Sequence, residues 1–314
     1  MTALADNVSD QRLLADLEPV VERELNRHLS TAREWFPHEY VPWSEGENFS
    51  GPLDGREWTP EELRFSDAAR TSLIINLLTE DNLPSYHYEI ATILGRDGAW
   101  GQWVGRWTAE EGRHATAIRD YLLVTRSMDP IAMERARMTH MEAGFHAIHP
   151  GVLAGLSYVS FQELATRVSH RNTGAATGDP VAEQLFARIA LDENLHMLFY
   201  RNVIDAAFDI APDQTMVAVT ASVRDFAMPG HGIEGFGRKA VEIAVAGIYD
   251  LPQHREEVVL PVLRKWRVFE RSDVGAVGEA ARDELAVIMT EMERSADRFE
   301  DRRDALKARL ATRG

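Results

Sequence analysis

Two stretches of this chain end in the same pattern, a glutamate followed three residues later by a histidine. Glu111 and His114 close Trp107-Thr108-Ala109-Glu110-Glu111-Gly112-Arg113-His114, and Glu193 and His196 close Ile189-Ala190-Leu191-Asp192-Glu193-Asn194-Leu195-His196. On an α-helix, positions i and i+3 lie on one face, so each pair can present a carboxylate and an imidazole to the same point. Another glutamate in an apolar helical setting stands roughly 30 residues before each pair, Glu80 before the first and Glu163 before the second. The donor set therefore reads twice as Glu, then Glu-x-x-His. Six such donors share one site only if four helices lie side by side.

With 11 His in the chain, and glutamate at roughly a tenth of a helical protein, about one Glu-x-x-His is expected by chance. The pattern gains weight because no other histidine has a glutamate three residues earlier, both pairs lie in long helical segments, and each has its partner glutamate one helix upstream. Two helices each giving one Glu and two giving Glu-x-x-His, all pointing inward, form the di-iron or di-manganese site of a ferritin-like four-helix bundle. Mixed carboxylate and imidazole ligands with open positions suit Fe(II) and O₂, which favours two iron ions per chain.

Lys and Arg total 34 against 50 Asp and Glu, a net charge of −16. This argues against a general nucleic-acid binder, and any acidic partner would need a local basic patch. The chain has no Cys, which excludes disulfides, thiolate catalysis and iron-sulfur ligation, and a reducing cytoplasm is the natural compartment. Met1 to Asp10 is polar and acidic, without the pattern of a signal or transit peptide. No apolar run approaches a membrane span, so a soluble cytoplasmic protein is expected.

Leu13 to Leu29 reads as an amphipathic helix running over Pro19, and Val41 to Trp58 as a Trp-, Gly- and Pro-rich loop. Thr59-Pro60-Glu61-Glu62 carries an N-terminal capping signature, which predicts a long helix through Glu80 to Ile93, kinked at Pro84. Helices are predicted at Asp97 to Thr125, from Asp129-Pro130, at Val152 to His170, from Asp179-Pro180, at Pro212 to Ala227, Ile233 to Tyr249, Pro252 to Phe269 and Val274 to Ala311. No segment shows the alternation of a strand, so the chain is expected to be all-α. A single domain over 1–314 is expected, with an N-terminal helix and irregular segment at 1–58, the four-helix di-iron core at 59–207, and further helices at 208–314 wrapping it.

Four other features are read more plainly. His146 and His149 sit beside Pro150 with no matching carboxylate, and read as caps or packing. Gly235-x-Gly237 follows no strand and reads as a turn rather than a phosphate loop. Trp100, Trp103 and Trp107 at helical spacing read as core. Arg264, Lys265 and Arg267 form the densest basic cluster before the C-terminal helix and read first as a solvated face; as a docking patch for an acidic partner they come first, with Arg119 and Arg126, seven residues apart on one helix face, as the next choice.

Around the four predicted ligand helices, the stretches Thr79-Glu80-Asp81-Asn82-Leu83-Pro84-Ser85-Tyr86, Arg106-Trp107-Thr108-Ala109-Glu110-Glu111-Gly112-Arg113-His114, Ser160-Phe161-Gln162-Glu163-Leu164-Ala165-Thr166 and Asp192-Glu193-Asn194-Leu195-His196 stand in that order. In these the chain resembles the soluble acyl-acyl-carrier-protein desaturases of plant plastids and actinobacteria, over roughly Trp35 to Phe269. The resemblance implies that Glu80 and His114 bind one iron, Glu163 and His196 the other, and that Glu111 and Glu193 bridge them. It matches Asp192 and Trp35 to positions behind a ligand histidine, Thr166 to a hydroxyl near the oxygen side, and Thr92 and Ile93 to the wall of an acyl tunnel. Departures from the plant pattern at Gly112, Glu89, Asn194, Leu195 and Met197 leave the ligands untouched but bear on chain length and double-bond position.

The activity so implied is O₂-dependent insertion of a cis double bond into a long acyl chain held as an acyl-carrier-protein thioester, with two electrons from ferredoxin and a homodimer as the expected assembly. Removing hydrogen from an unactivated CH₂ needs an oxidant that no side chain provides, which is why such chemistry requires the metals. Rival readings are a related di-iron hydroxylase or N-oxygenase, a non-enzymatic ferritin-like iron protein, and a helical bundle without metal. A tunnel long enough for an acyl chain separates the first from desaturation, and metal analysis excludes the last.

Overall fold

Side-chain caps start four of the long helices. Asp129 accepts hydrogen bonds from the backbone N–H groups of Ile131 and Ala132, and Asp179 from that of Val181, each followed by a proline whose missing N–H costs nothing at that position. Ser9 and Ser66 cap two further helices through the N–H groups of Arg12 and Ala69. In this computed structural model, which describes residues 7–145 and 150–311, the order is α1 (Asp10–Thr31), α2 (Asp67–Asp81), α3 (Leu83–Leu94), α4 (Gly98–Val124), α5 (Pro130–Ala143), α6 (Val152–Thr177), α7 (Pro180–Ile210), α8 (Pro212–Arg224), α9 (Phe236–Val245), α10 (Leu251–Gln253), a π-helical segment (His254–Val259), α11 (Leu260–Trp266) and α12 (Ala276–Ala311). Short 3₁₀ turns lie at Pro37–Glu39, Trp43–Glu45, Pro60–Glu62 and Pro229–Gly232. Among the described residues there is no strand, only an isolated bridge between Phe49 and Arg56.

The four ligand helices α2, α4, α6 and α7 form the bundle: α2 packs on α4 and α6, and α7 packs on α4 and along α6. The α6–α7 hairpin turns through Gly178, whose left-handed φ of +65° a residue with a side chain rarely adopts. A Cβ on Gly174, one turn earlier, would stand 2.8 Å from Phe186 Cβ, so the hairpin closes only over a glycine. Around the bundle, α1 covers α4 and α7, α3 lies on α4, α8 on α6, and α12 on α8. The largest core joins α1, α4, α6, α7, α8, α11 and α12 around Trp103, Phe161, Phe199, Tyr200 and Trp266. Truncating a fully buried indole such as Trp103 or Trp266 would cost about 3–5 kcal/mol.

Several boundaries differ from the sequence expectation. Thr59 caps only one 3₁₀ turn, in a reciprocal box with Glu62, and the chain is extended at Leu63 before Ser66 starts α2. At Pro84 the helix breaks rather than kinks. Asn82 ends α2, and Pro84 sits in the first turn of α3, where its ring meets no carbonyl from a preceding turn. The Ile233 to Tyr249 helix shrinks to α9, because Gly235 and Gly247 take φ of +69° and +75°. The Pro252 to Phe269 helix is divided by the π segment and ends at Arg267, itself left-handed at φ +51°. His146 and His149 lie outside the described residues.

Candidate metal centre

Helical spacing brings the six predicted ligands to one place in the middle of the bundle. Glu80 comes from α2, Glu111 and His114 from α4, Glu163 from α6, Glu193 and His196 from α7, and all six are buried. They form two overlapping groups, Glu80, Glu111, His114 and Glu193 in one, Glu111, Glu163, Glu193 and His196 in the other. Within each group one donor atom per residue lies within 4.8 Å of the others. His114 Nδ1 is 3.2 Å from Glu193 Oε1, 3.4 Å from Glu111 Oε2 and 3.5 Å from Glu80 Oε2. His196 Nδ1 is 2.8 Å from Glu111 Oε1, 3.5 Å from Glu193 Oε2 and 3.7 Å from Glu163 Oε2. Glu111 and Glu193 are common to both groups.

The donor set fits a pair of divalent cations. Glu80 Oε2, Glu111 Oε1, Glu163 Oε2, both oxygens of Glu193 and both ligand Nδ1 atoms are buried without a hydrogen-bond partner, although buried polar groups are ordinarily paired. Four buried carboxylates facing one another also require neutralisation, which two divalent ions supply. Carboxylate with imidazole is the donor mixture that iron and manganese accept.

Other side chains hold the ligands in place. His114 Nε2 donates to Asp192 Oδ2 at 3.4 Å, and the same carboxylate takes the Trp35 indole N–H at 2.7 Å, Arg113 at 3.0 Å, and Arg188. His196 Nε2 donates to Glu110 Oε2 at 3.0 Å, and Glu110 is also met by His28 at 2.9 Å and by Arg106. Trp107 donates its indole N–H to Glu163 Oε1 at 3.0 Å, and His170 Nε2 donates to Glu80 Oε1 at 2.7 Å. Imidazoles held from behind in this way turn Nδ1 toward the metal position.

The electrostatics separate the inner ring from its surroundings. Burial alone would push His114 and His196 down, but Glu193 and Glu111 beside His114, and the Glu110 hydrogen bond with the neighbouring Glu111 carboxylate at His196, raise both well above the ordinary imidazole range. Burial, and then the charge of Glu111, push Glu193 well above the carboxylate range; burial raises Glu111 too. Outside the ring, burial opposes ionisation of Asp192, yet the His114 hydrogen bond and charge hold it down at about 2. Glu110 and Glu80 are likewise lowered against burial by their histidine partners. The inner ring thus favours protons more than its surroundings do, and cations binding there would compete with them.

A cavity lined mostly by apolar side chains reaches this ring. Glu80, Glu111, Trp107 and Thr166 line it beside the donors; Ile75, Ile90, Ile93, Leu94, Leu156 and Val159 line it beyond, and α9 contributes Phe236, Ala240 and Ile243. Of the two residues matched to a tunnel wall, Ile93 lines the cavity, whereas Thr92, one position earlier on α3, is exposed and is not part of the lining. Thr166 keeps its hydroxyl bonded to the Gln162 carbonyl at 3.0 Å.

Trp100, Trp103 and Trp107 are all buried, as read, but Trp107 also holds a ligand. His28, Glu110 and His170 went unread in the sequence; the one available signal was that Glu110, like Asp192, directly precedes a ligand glutamate. Among the basic residues, Arg264, Lys265 and Arg267 are exposed. Arg126, in contrast, is buried and ion-paired with Glu62 at 2.5 Å. Among the described residues no helix is long and apolar enough to cross a membrane.

Comparison with known proteins agrees with this geometry. The sequence model described as "Fatty acid desaturase" matches residues 9–313. A Mycobacterium tuberculosis protein with the provisional name acyl-acyl-carrier-protein desaturase DesA1 is 52% identical over 305 residues, 95% of this chain and 90% of its own length. The rice chloroplastic protein named acyl-acyl-carrier-protein desaturase 7 is 29% identical over 323 residues, 95% of this chain and 78% of its own. The X-ray structure of the similarly named DesA2 from M. tuberculosis superposes with a TM-score of 0.70 at 34% identity, covering 83% of this chain and 97% of that one.

Proposed function

Since the chain belongs to the fatty acid desaturase family, we propose that it inserts a cis double bond into a long acyl chain carried as an acyl-carrier-protein thioester, using O₂ at a di-iron centre and electrons from ferredoxin. The observation that carries this reading is the apolar cavity that ends on the ligand ring: it offers an alkyl chain a wall of Ile and Leu and brings it against Glu80 and Glu111. Glu80 and His114 would hold one iron, Glu163 and His196 the other, with Glu111 and Glu193 shared. When bound, the irons supply the oxidising equivalents for removing two hydrogens from adjacent CH₂ groups.

The protein's part is to bind and orient the chain and exclude water. Burying each methylene in such a cavity is worth about 0.8 kcal/mol, so the acyl chain provides its own binding energy and its length sets which carbons reach the ring. Asp192 and Glu110 keep both imidazoles turned toward the metal positions, and Trp107 fixes Glu163. Trp35 acts behind Asp192, and Thr166 lines the cavity. Acyl carrier protein and ferredoxin are both acidic, so on a chain of net charge −16 their docking requires a local cationic surface. We place the enzyme in the cytoplasm as a homodimer.

Incubating the iron-loaded protein with ferredoxin, reductant, O₂ and acyl-carrier thioesters of several lengths, then locating the double bond by mass spectrometry, tests the proposal. A mono-unsaturated product two hydrogens lighter than substrate is expected; a product heavier by one oxygen would make the protein a hydroxylase instead.

A further inference from the structure

The outer hydrogen bonds of the two ligand imidazoles cross the bundle. Glu110 on α4 holds His196 of α7, and Asp192 on α7 holds His114 of α4. Each of these carboxylates directly precedes the shared glutamate of its own helix. A helical residue points about 100° away from its neighbour, so when Glu111 and Glu193 face the centre, the residues before them turn sideways, toward the opposite helix.

Behind both carboxylates stands one segment that supplies no ligand, the end of α1 and the residues after it. Trp35 donates its N–H to Asp192 at 2.7 Å and lies nearly parallel to the His114 ring, centroids 6.3 Å apart at 14°. His28 meets the Glu110 oxygen that holds His196, at 2.9 Å, and lies alongside the His196 ring, 5.8 Å apart at 23°. The two halves match in carboxylate, backing donor and flanking ring. Arg113 ties them together, 3.0 Å from Asp192 and 3.7 Å from Glu110.

We propose that His28 is a positioning residue for the second metal position: its Nε2–H locks the Glu110 carboxylate, which in turn holds His196 with Nδ1 toward the ion, as Trp35 does for His114 through Asp192. This rests on the di-metal reading of the ring. His28 is fully buried and its Nε2 is directed at Glu110. Without that donor Glu110 Oε2 keeps only His196, while Arg106 and Arg113 draw on the other oxygen, Oε1. The carboxylate is then free to rotate toward the arginines and release the imidazole. Helix α1 thus becomes part of the metal centre instead of a cover over α4 and α7.

The test is anaerobic Fe(II) binding by equilibrium dialysis, with near-infrared circular dichroism of the loaded protein, on wild type, His28→Leu, His28→Gln and Trp35→Phe. Wild type is expected to bind about two Fe(II). His28→Leu, which keeps volume but loses the donor, should hold one ion normally and the other roughly 10- to 100-fold more weakly, the usual cost of losing such support. His28→Gln, whose amide can still donate, should recover most of that loss. Trp35→Phe should weaken the other position and give a different ligand-field spectrum. If His28→Leu is too unstable to purify, Glu110→Gln is measured instead and should weaken the same position as His28→Gln spares. Wild-type affinity for both ions in His28→Leu overturns the role alone, as does a His28→Gln no better than His28→Leu. Absence of Fe(II) binding by wild type overturns the metal reading and the role together.

Discussion

Glu111 and Glu193 face each other between the two ligand imidazoles, each within 3.5 Å of both His114 Nδ1 and His196 Nδ1. Burial and the charge of Glu111 push Glu193 well above the carboxylate range, so this arrangement is unfavourable until cations arrive. Glu193→Gln is therefore expected to leave the metal-free protein at least as stable as metal-free wild type, while removing the gain in Tm that Fe(II) gives through selective binding to the folded state. Glu111→Ala and His196→Ala should likewise lose iron and turnover while remaining helical. Melts with and without Fe(II), together with iron analysis, check this; a Glu193→Gln protein that still gains the full Fe(II) shift would remove Glu193 from the ligand set.

Chain-length selection should separate Ile93 from Thr92. Ile93→Phe places a ring in the cavity and should shift preference to shorter acyl chains, at roughly 1–3 kcal/mol per methylene excluded. Thr92→Phe, on the exposed side of α3, should leave the profile unchanged. Turnover across a series of thioester lengths decides it, and a length shift in Thr92→Phe alone would place the chain outside this cavity.

Docking of an acidic carrier is expected at Arg264, Lys265 and Arg267. All three are exposed, and Lys265 is shared with Asp205 at 3.0 Å. Reversing the three charges should raise KM for the acyl-carrier thioester on the order of tenfold, at roughly 0.5 kcal/mol per exposed contact, and flatten its salt dependence without changing iron content. KM measured against ionic strength is the check. Arg126 is no substitute, since its guanidinium is buried against Glu62.

Acid sensitivity should have a component outside the ligand ring. His254 lies buried where the π segment begins, accepts the Tyr249 hydroxyl at Nδ1 (2.8 Å), and stacks on Phe226 at 4.5 Å. Burial pushes it down to about 4 from 6.5. The unfolded chain then binds a proton that the folded chain refuses between those values, so the stability His254 contributes as a neutral ring is whole above pH 6.5 and lost as pH falls toward 4, at up to about 1.4 kcal/mol per pH unit. Urea unfolding of wild type and His254→Phe from pH 7 to 4 should show a shallower fall for the variant. Parallel curves would mean that His254 titrates normally.

What the sequence determined by itself was whatever depends on local spacing. Glu111 with His114 and Glu193 with His196 share a helix face because they are three residues apart, and the Asp-Pro starts at Asp129 and Asp179 are capped within two or three residues. These relations hold once the helix forms, whatever it packs against, and so the four-helix candidate ligand set was legible. Trp35 and Asp192 were legible only through a family likeness, since their contact spans 157 positions. Tertiary structure alone decided that His28 backs Glu110 across 82 positions and that His170 holds Glu80 across 90. It also decided which of Thr92 and Ile93 faces the cavity, and that the guanidinium of Arg126 is buried. Each of these depends on how one helix is rotated and set against another, a choice made by the packing of the whole core, and no spacing along the chain records it.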